Sequence, residues 1–143
     1  MKNISKNLQM FNQVCKETNV IYHDYAAKNG ISDTAFWIMY SVYYYGEGIT
    51  QKNICEEWFY SAQTVNSSLK TMEKNGLIIL EPSNDNKKEK QIHFTKEGQL
   101  LAEKIIKPVI EAEKQSFEQL DNMEIEAMFA VSYTHLTLPT KLE

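Results

Sequence analysis

The stretch SAQTVNSSLKTMEKNGLI, residues 61–78, carries the side chains most suited to chemistry. At helical spacing Val65, Leu69 and Met72 make a thin apolar stripe, and Gln63, Thr64, Asn66, Ser67 and Lys70 form the opposite face. Amides, hydroxyls and one cation suit recognition better than bond-breaking. Gln63 and Asn66 can pair in bidentate fashion with adenine, and Thr64 and Ser67 can meet bases or phosphates. Ser61 is placed to cap the helix, whose free N-terminal amides also favour phosphate. A second set, Asn86, Lys87, Lys88 and Lys90, follows the turn cluster PSNDN on an element too polar for a core. Such lysines suit phosphate contacts or a minor groove. Taken singly, either set is an ordinary solvated surface; the order of the elements around them decides otherwise.

A helix over 4–28 is expected from a heptad-like seam of Ile4, Leu8, Phe11, Cys15, Thr18, Tyr22 and Tyr25, ended by Asn29-Gly30. Ser32 or Asp33 caps a second helix over 33–45, and Thr50 a third over 51–58 with Ile54, Cys55 and Trp58 inward. Phe59-Tyr60 is a tight link into the helix capped by Ser61 and closed by Asn75-Gly76. Two short helices around such a turn have helix-turn-helix spacing. Ile49 begins a short extended piece. Strands over 77–80 and 91–94 form a hairpin with a lysine-rich tip. Thr95 caps a helix running towards Phe117, kinked at Pro108. Asp121 and Glu124 have capping-box spacing for a last helix with Ile125, Met128 and Phe129. The fold class is mainly α with a small β-hairpin wing, one domain over 1–143.

With 143 residues, 43% of them hydrophobic, the chain can build a sizeable core. No apolar run reaches membrane-spanning length, and the N-terminus MKNISKNLQMF has no cleavable signal pattern, so a cytoplasmic location without membrane partners is expected. Net charge is −4, which taken alone argues against nucleic acid. Phosphate affinity follows local charge, however, and the acids gather at Glu56, Glu57 and from Glu111 to Glu126, away from the wing lysines. Cys15 and Cys55 lack metal-ligand spacing, as do His23, His93 and His135, so no metal or cofactor is expected. No Ser-His-Asp arrangement, glycine-rich phosphate loop or paired-His motif points to an enzyme.

The order T-V-x-x-x-L-x-x-x-E-x-x-G-L-I, then a basic wing, then F-T-x-x-G resembles the MarR family of winged-helix transcriptional regulators over residues about 8–128. ISDTAFWIMY at 31–40 and TQKNICEEW at 50–58 extend the likeness. The resemblance implies a homodimer built on helices in 1–30 and 96–130, and a DNA-binding lobe over 31–95 on a palindromic double-stranded operator near its own gene. It implies a repressor. Less securely, it implies release by a small aromatic or phenolic effector held where the helices carrying Tyr22, Tyr25, Phe36, Trp37 and Tyr40 meet. For each of those rings a place in the core is the stronger reading. Two departures matter. The family's wing usually carries Asp-x-Arg, matched here by Asn86 and Lys88, which keeps the charge and loses the planar fork. The family's interhelical turn usually holds Gly and an aliphatic, matched here by Phe59 and Tyr60.

Two alternatives stand beside the regulator: a winged-helix adaptor that binds only protein, and an oxidant sensor using Cys15. The seam position favours a buried, inert thiol for Cys15, and more so for Cys55. Residues 131–143, VSYTHLTLPTKLE, are poor in helix formers and resemble translated adaptor sequence, which would make them a non-native tail.

Overall fold

A computed structural model describes residues 3–46 and 48–137, with side chains through residue 134. In chain order the elements are α1 (Ile4–Lys28), α2 (Asp33–Tyr45), α3 (Gln51–Trp58), α4 (Ala62–Lys74), β1 (Ile78–Pro82), β2 (Lys90–Phe94), α5 (Lys96–Ile105), α6 (Lys107–Glu118) and α7 (Asn122–Thr137). They fall into two compact units, one ending at Ile106 and one beginning at Lys107.

The first unit is organised on α2. Its Phe36, Ile38, Met39 and Val42 are buried, and they meet Ile54 of α3, Val65, Leu69 and Met72 of α4, Ile78, Ile92 and Phe94 of the hairpin, and Ala102 and Ile105 of α5 in one core. Short polar side chains set the helix starts. Ser32, Thr50, Ser61 and Thr95 each accept a hydrogen bond from the backbone N–H three residues on. At Thr50 the cap is reciprocal, because the Asn53 side chain also accepts from the Thr50 N–H at 2.9 Å.

The hairpin is antiparallel, with Ile78 opposite Phe94 and Leu80 opposite Ile92. A short piece at Gly48–Thr50 lies along the other edge of β2: Ile92 N–H donates to Ile49 O at 2.9 Å, and Thr50 bridges to Gln91. The base of the wing is therefore tied to the residue that caps α3. On the far side, Thr95 Oγ1 donates to Gly76 O, and Gly98 in the first turn of α5 lies so close to Leu77 that a Cβ there would come within 1.8 Å of the Leu77 carbonyl oxygen. Tyr25 Oη donates to Ile105 O at 2.8 Å, joining α1 to α5; burial raises the Tyr25 phenol above its usual value.

Several expectations are corrected. The α1 seam is not a buried seam within the chain: Phe11, Tyr22 and Tyr25 are half-buried, while Ile4, Leu8 and Cys15 are exposed. Heptad spacing identifies a shared face without supplying what covers it. Cys15 is thus an exposed thiol and Cys55 a half-buried one. The single kinked helix after Thr95 is two helices, since the ladder breaks at Ile106 and Pro108, lacking an N–H, falls in the first turn of α6. In the second unit Asp121 and Glu124 form the expected capping box, each side chain accepting from the other's backbone N–H at 2.8–2.9 Å. α7 continues through Thr137, into the stretch that is poor in helix formers. Residues 138–143 of the suspected tail lie outside the described residues.

Candidate nucleic-acid interface

The position of α4 is set from beneath and from its start. Val65, Leu69 and Met72 are buried, and Ser61 Oγ accepts from Thr64 N–H at 3.1 Å. Ser61 and Thr64 also share a hydroxyl–hydroxyl bond of 2.8 Å, so both side chains are partly committed to the cap while remaining exposed. Gln63, Asn66, Ser67 and Lys70 are exposed along the outer face. From α3, Gln51 Nε2 donates to Ala62 O at 3.0 Å and holds the first residue of α4.

That outer face has two edges. Gln63, Thr64, Ser67 and Thr71 line a cleft of about 610 Å³ whose other wall is the α1–α2 turn and the start of α2. Asn66 and Lys70 line a second cleft of about 470 Å³, which they share with Lys88 and Lys90 of the wing and with Gln51, Lys52 and Cys55 of α3. The spacing of four residues within each pair, 63 and 67 or 66 and 70, places its members one turn apart on the same edge. The second cleft gathers four lysines against two glutamates, Glu73 and Glu89, and so is locally basic in a chain of net charge −4.

The wing tip is a turn whose backbone is internally bonded. Ser83 N–H donates to Glu89 O at 2.8 Å, and Asn86 Oδ1 accepts from Lys88 N–H at 3.1 Å. Asn86 thus shapes the turn, as a short polar side chain does when it bonds two residues on. Lys87 and Lys88 are exposed at the tip, and Lys90 begins β2 rather than lying in the turn.

Lys52 was not foreseen. It lines the basic cleft from the first turn of α3, and its exposed pairing with Glu56 is long, at 3.9 Å. A signal for it did exist, because the first helix of a helix-turn-helix crosses the DNA backbone. In the interhelical turn, Phe59 adopts a left-handed conformation, and Tyr60 is half-buried. Burial pushes the Tyr60 phenol above its ordinary value.

The aromatic residues proposed from sequence as a pocket come together, but against one another. Phe36 is buried, and Tyr22, Tyr25, Trp37 and Tyr40 are half-buried around it. Trp37 stacks on Trp58 at 4.3 Å and packs against Tyr22 and Phe36 at 4.9 Å each. None of the five lines any of the three described clefts. Behind them, Trp58 Nε1 donates to Ser41 Oγ at 2.7 Å, and Ser41 donates to Glu57 Oε2 at 3.1 Å. Glu57 also raises the nearby Tyr45 phenol above its ordinary value.

Among the described residues no group of three or more His, Cys, Asp or Glu is arranged to hold a metal ion, and no described helix is long and apolar enough to cross a membrane. A capped α3, a turn, a capped polar α4 and a basic hairpin define a winged helix-turn-helix. Residues 29–89, which span the helix-turn-helix and most of the wing, match the MarR family model. No curated protein matches the sequence. Among solved structures, the chain is similar to a MarR family regulator from Neisseria meningitidis, at 20% identity over 99% of this chain and 96% of that one, with a TM-score of 0.74. It is similar to S. aureus MepR in its DNA-binding conformation, at 22% identity over 96% and 98% of the two chains, with a TM-score of 0.76. It is also similar to MepR in an S. aureus MepR–DNA complex, at 22% identity over 99% and 100%, with a TM-score of 0.74. At these identities the likeness establishes the fold.

Proposed function

We propose that the chain is a sequence-specific transcriptional regulator that places α4 in the major groove of a palindromic operator and its wing on the adjacent backbone. One observation carries the reading: the basic cleft that joins Asn66 and Lys70 of α4 to Lys88 and Lys90 of the wing and Lys52 of α3. A base-reading amide and backbone-neutralising cations on one concave surface are what a duplex requires. Gln63, Asn66 and Ser67 read base edges; Ser61 and Thr64 hold the helix start and present hydroxyls; Lys70, Lys87, Lys88 and Lys90 meet phosphates; Asn86 shapes the wing. MepR, whose fold is similar, is described in complex with DNA.

The working form is a homodimer, the state that matches a two-fold operator. Supporting it, α1 exposes Ile4, Leu8, Met10, Val14, Val20 and Ile21, and α7 exposes Met123, Phe129, Val131 and Tyr133, more apolar surface than a solitary helix keeps without a partner. The proposed output is repression of genes near its own, relieved by a small aromatic or phenolic compound that inserts at the half-buried edge of the Tyr22–Trp37–Tyr40 cluster.

The test is a fluorescence-anisotropy titration with DNA from upstream of its own gene, against a random duplex of equal length, at two salt concentrations. Tighter, salt-sensitive binding to the upstream duplex supports the regulator. Absence of binding to both, with the dimer intact by light scattering, would sink it in favour of a protein-only adaptor.

A further inference from the structure

Phe59 is the one non-glycine residue at positive φ among the described residues, at φ 55° and ψ 32°. An aromatic residue there is conformationally costly, and Gly or Asn would hold the same turn more easily. Packing does not offset that cost, because Phe59 is 93% exposed. Its neighbours behave differently: Trp58 stacks on Trp37, and Tyr60 is half-buried. A strained, solvent-facing ring between two inward-facing rings points to a role outside the chain.

Its position indicates which partner. Phe59 lies two residues before Ser61, the cap of α4, so its Cα is at most about 7 Å from the end of the helix that enters the groove first. No other large apolar side chain on α3 or α4 is exposed among the described residues. Protein-docking surfaces are contiguous apolar patches, whereas a lone apolar group beside polar ones suits the isolated methyl of thymine. We propose that Phe59 is a specificity-determining residue whose ring packs on thymine C5-methyl groups at the edge of the major groove. This rests on the DNA-binding reading above and adds to it a base preference that amides and hydroxyls do not supply.

The test begins with a duplex selected by the full chain from a random-sequence pool. Affinity is measured for the wild type and Phe59→Gly on that duplex and on one in which deoxyuridine replaces thymine. The wild type is expected to lose about fourfold for each contacted methyl removed, the factor carried by burying one such group. Phe59→Gly should bind the thymine duplex more weakly by the same factor and bind both duplexes alike. Its thermal midpoint should not fall, and Phe59→Asn should repeat the result. Full discrimination between thymine and uracil by Phe59→Gly, or undiminished affinity, would overturn the proposal. If the wild type selects no duplex, the DNA-binding reading fails and the role of Phe59 fails with it.

Discussion

Trp58 and Ser41 are joined by a 2.7 Å hydrogen bond from the indole N–H of α3 to a hydroxyl on α2 that is fully buried. Ser41 donates its own O–H to Glu57, so one hydroxyl satisfies two groups on the neighbouring helix. Together with the Trp37–Trp58 stack, this fixes α3 on the spine of the lobe.

Ser41→Ala should therefore cost about 1–3 kcal/mol in urea unfolding, since it strands the Trp58 N–H in a part-buried site. Trp58→Phe removes that donor, so adding Ser41→Ala to it should cost less than Ser41→Ala alone. Strict additivity in the double-mutant cycle would show that the bond contributes nothing.

The imidazole of His23 on α1 sits 2.9 Å from Asp33 Oδ2 at the start of α2. The hydrogen bond with Asp33 and then its charge raise the His23 value above its ordinary 6.5, with Asp24 adding in the same direction. A raised folded-state value stabilises fully below about pH 6.5 and is lost as pH climbs through the raised value. The gap in melting temperature between wild type and His23→Gln should be wider at about pH 6 than at about pH 9. Equal gaps would mean that the pair is ornamental, a common fate for exposed ion pairs.

Gly98→Ala should destabilise the lobe by about 3 kcal/mol or more, because the new Cβ would meet a backbone oxygen that no rotamer change can move aside. Urea titration followed by circular dichroism measures this. A loss below about 0.5 kcal/mol would place α5 less tightly against the wing than the 1.8 Å approach implies.

On DNA, Lys88→Ala should weaken binding to all sequences and reduce the slope of log affinity against log salt by about one. Asn66→Ala should cost roughly 1–3 kcal/mol on the operator and little on random DNA. Equal losses on both duplexes would move Asn66 from base reading to backbone positioning.

The helix starts were legible in the sequence because a capping side chain is local information. Ser32, Thr50, Ser61, Thr95 and the Asp121–Glu124 pair all act where short-range spacing places them. The apolar stripe Val65-Leu69-Met72 was legible for the same reason. What failed depends on elements distant in sequence. Periodicity located one polar face on α4, while its division between two clefts is decided by α2 on one side and the wing on the other. Lys52 joins the wing lysines only because the hairpin folds beside α3. The α1 seam is legible as a face, and its Ile4 and Leu8 are exposed among the described residues. α7 extends through Thr137 against the weak helix propensity of 131–137; within it the Phe129 and Tyr133 rings, four residues apart, lie 6.4 Å apart, and Thr134 Oγ1 donates to Ala130 O at 2.9 Å.

Thr50 both caps α3 and bridges to Gln91 at the base of the wing. Its consequence is kinetic. Because Thr50 belongs to both α3 and the wing base, and Gln51 beside it holds the start of the reading helix α4, the spacing between that helix and the wing lysines is set before any duplex arrives, and little ordering remains to be done on contact. Encounter with DNA becomes the docking of a preformed surface. Stopped-flow traces should then show a single phase whose rate rises linearly with DNA concentration, without the plateau that a closing wing would impose.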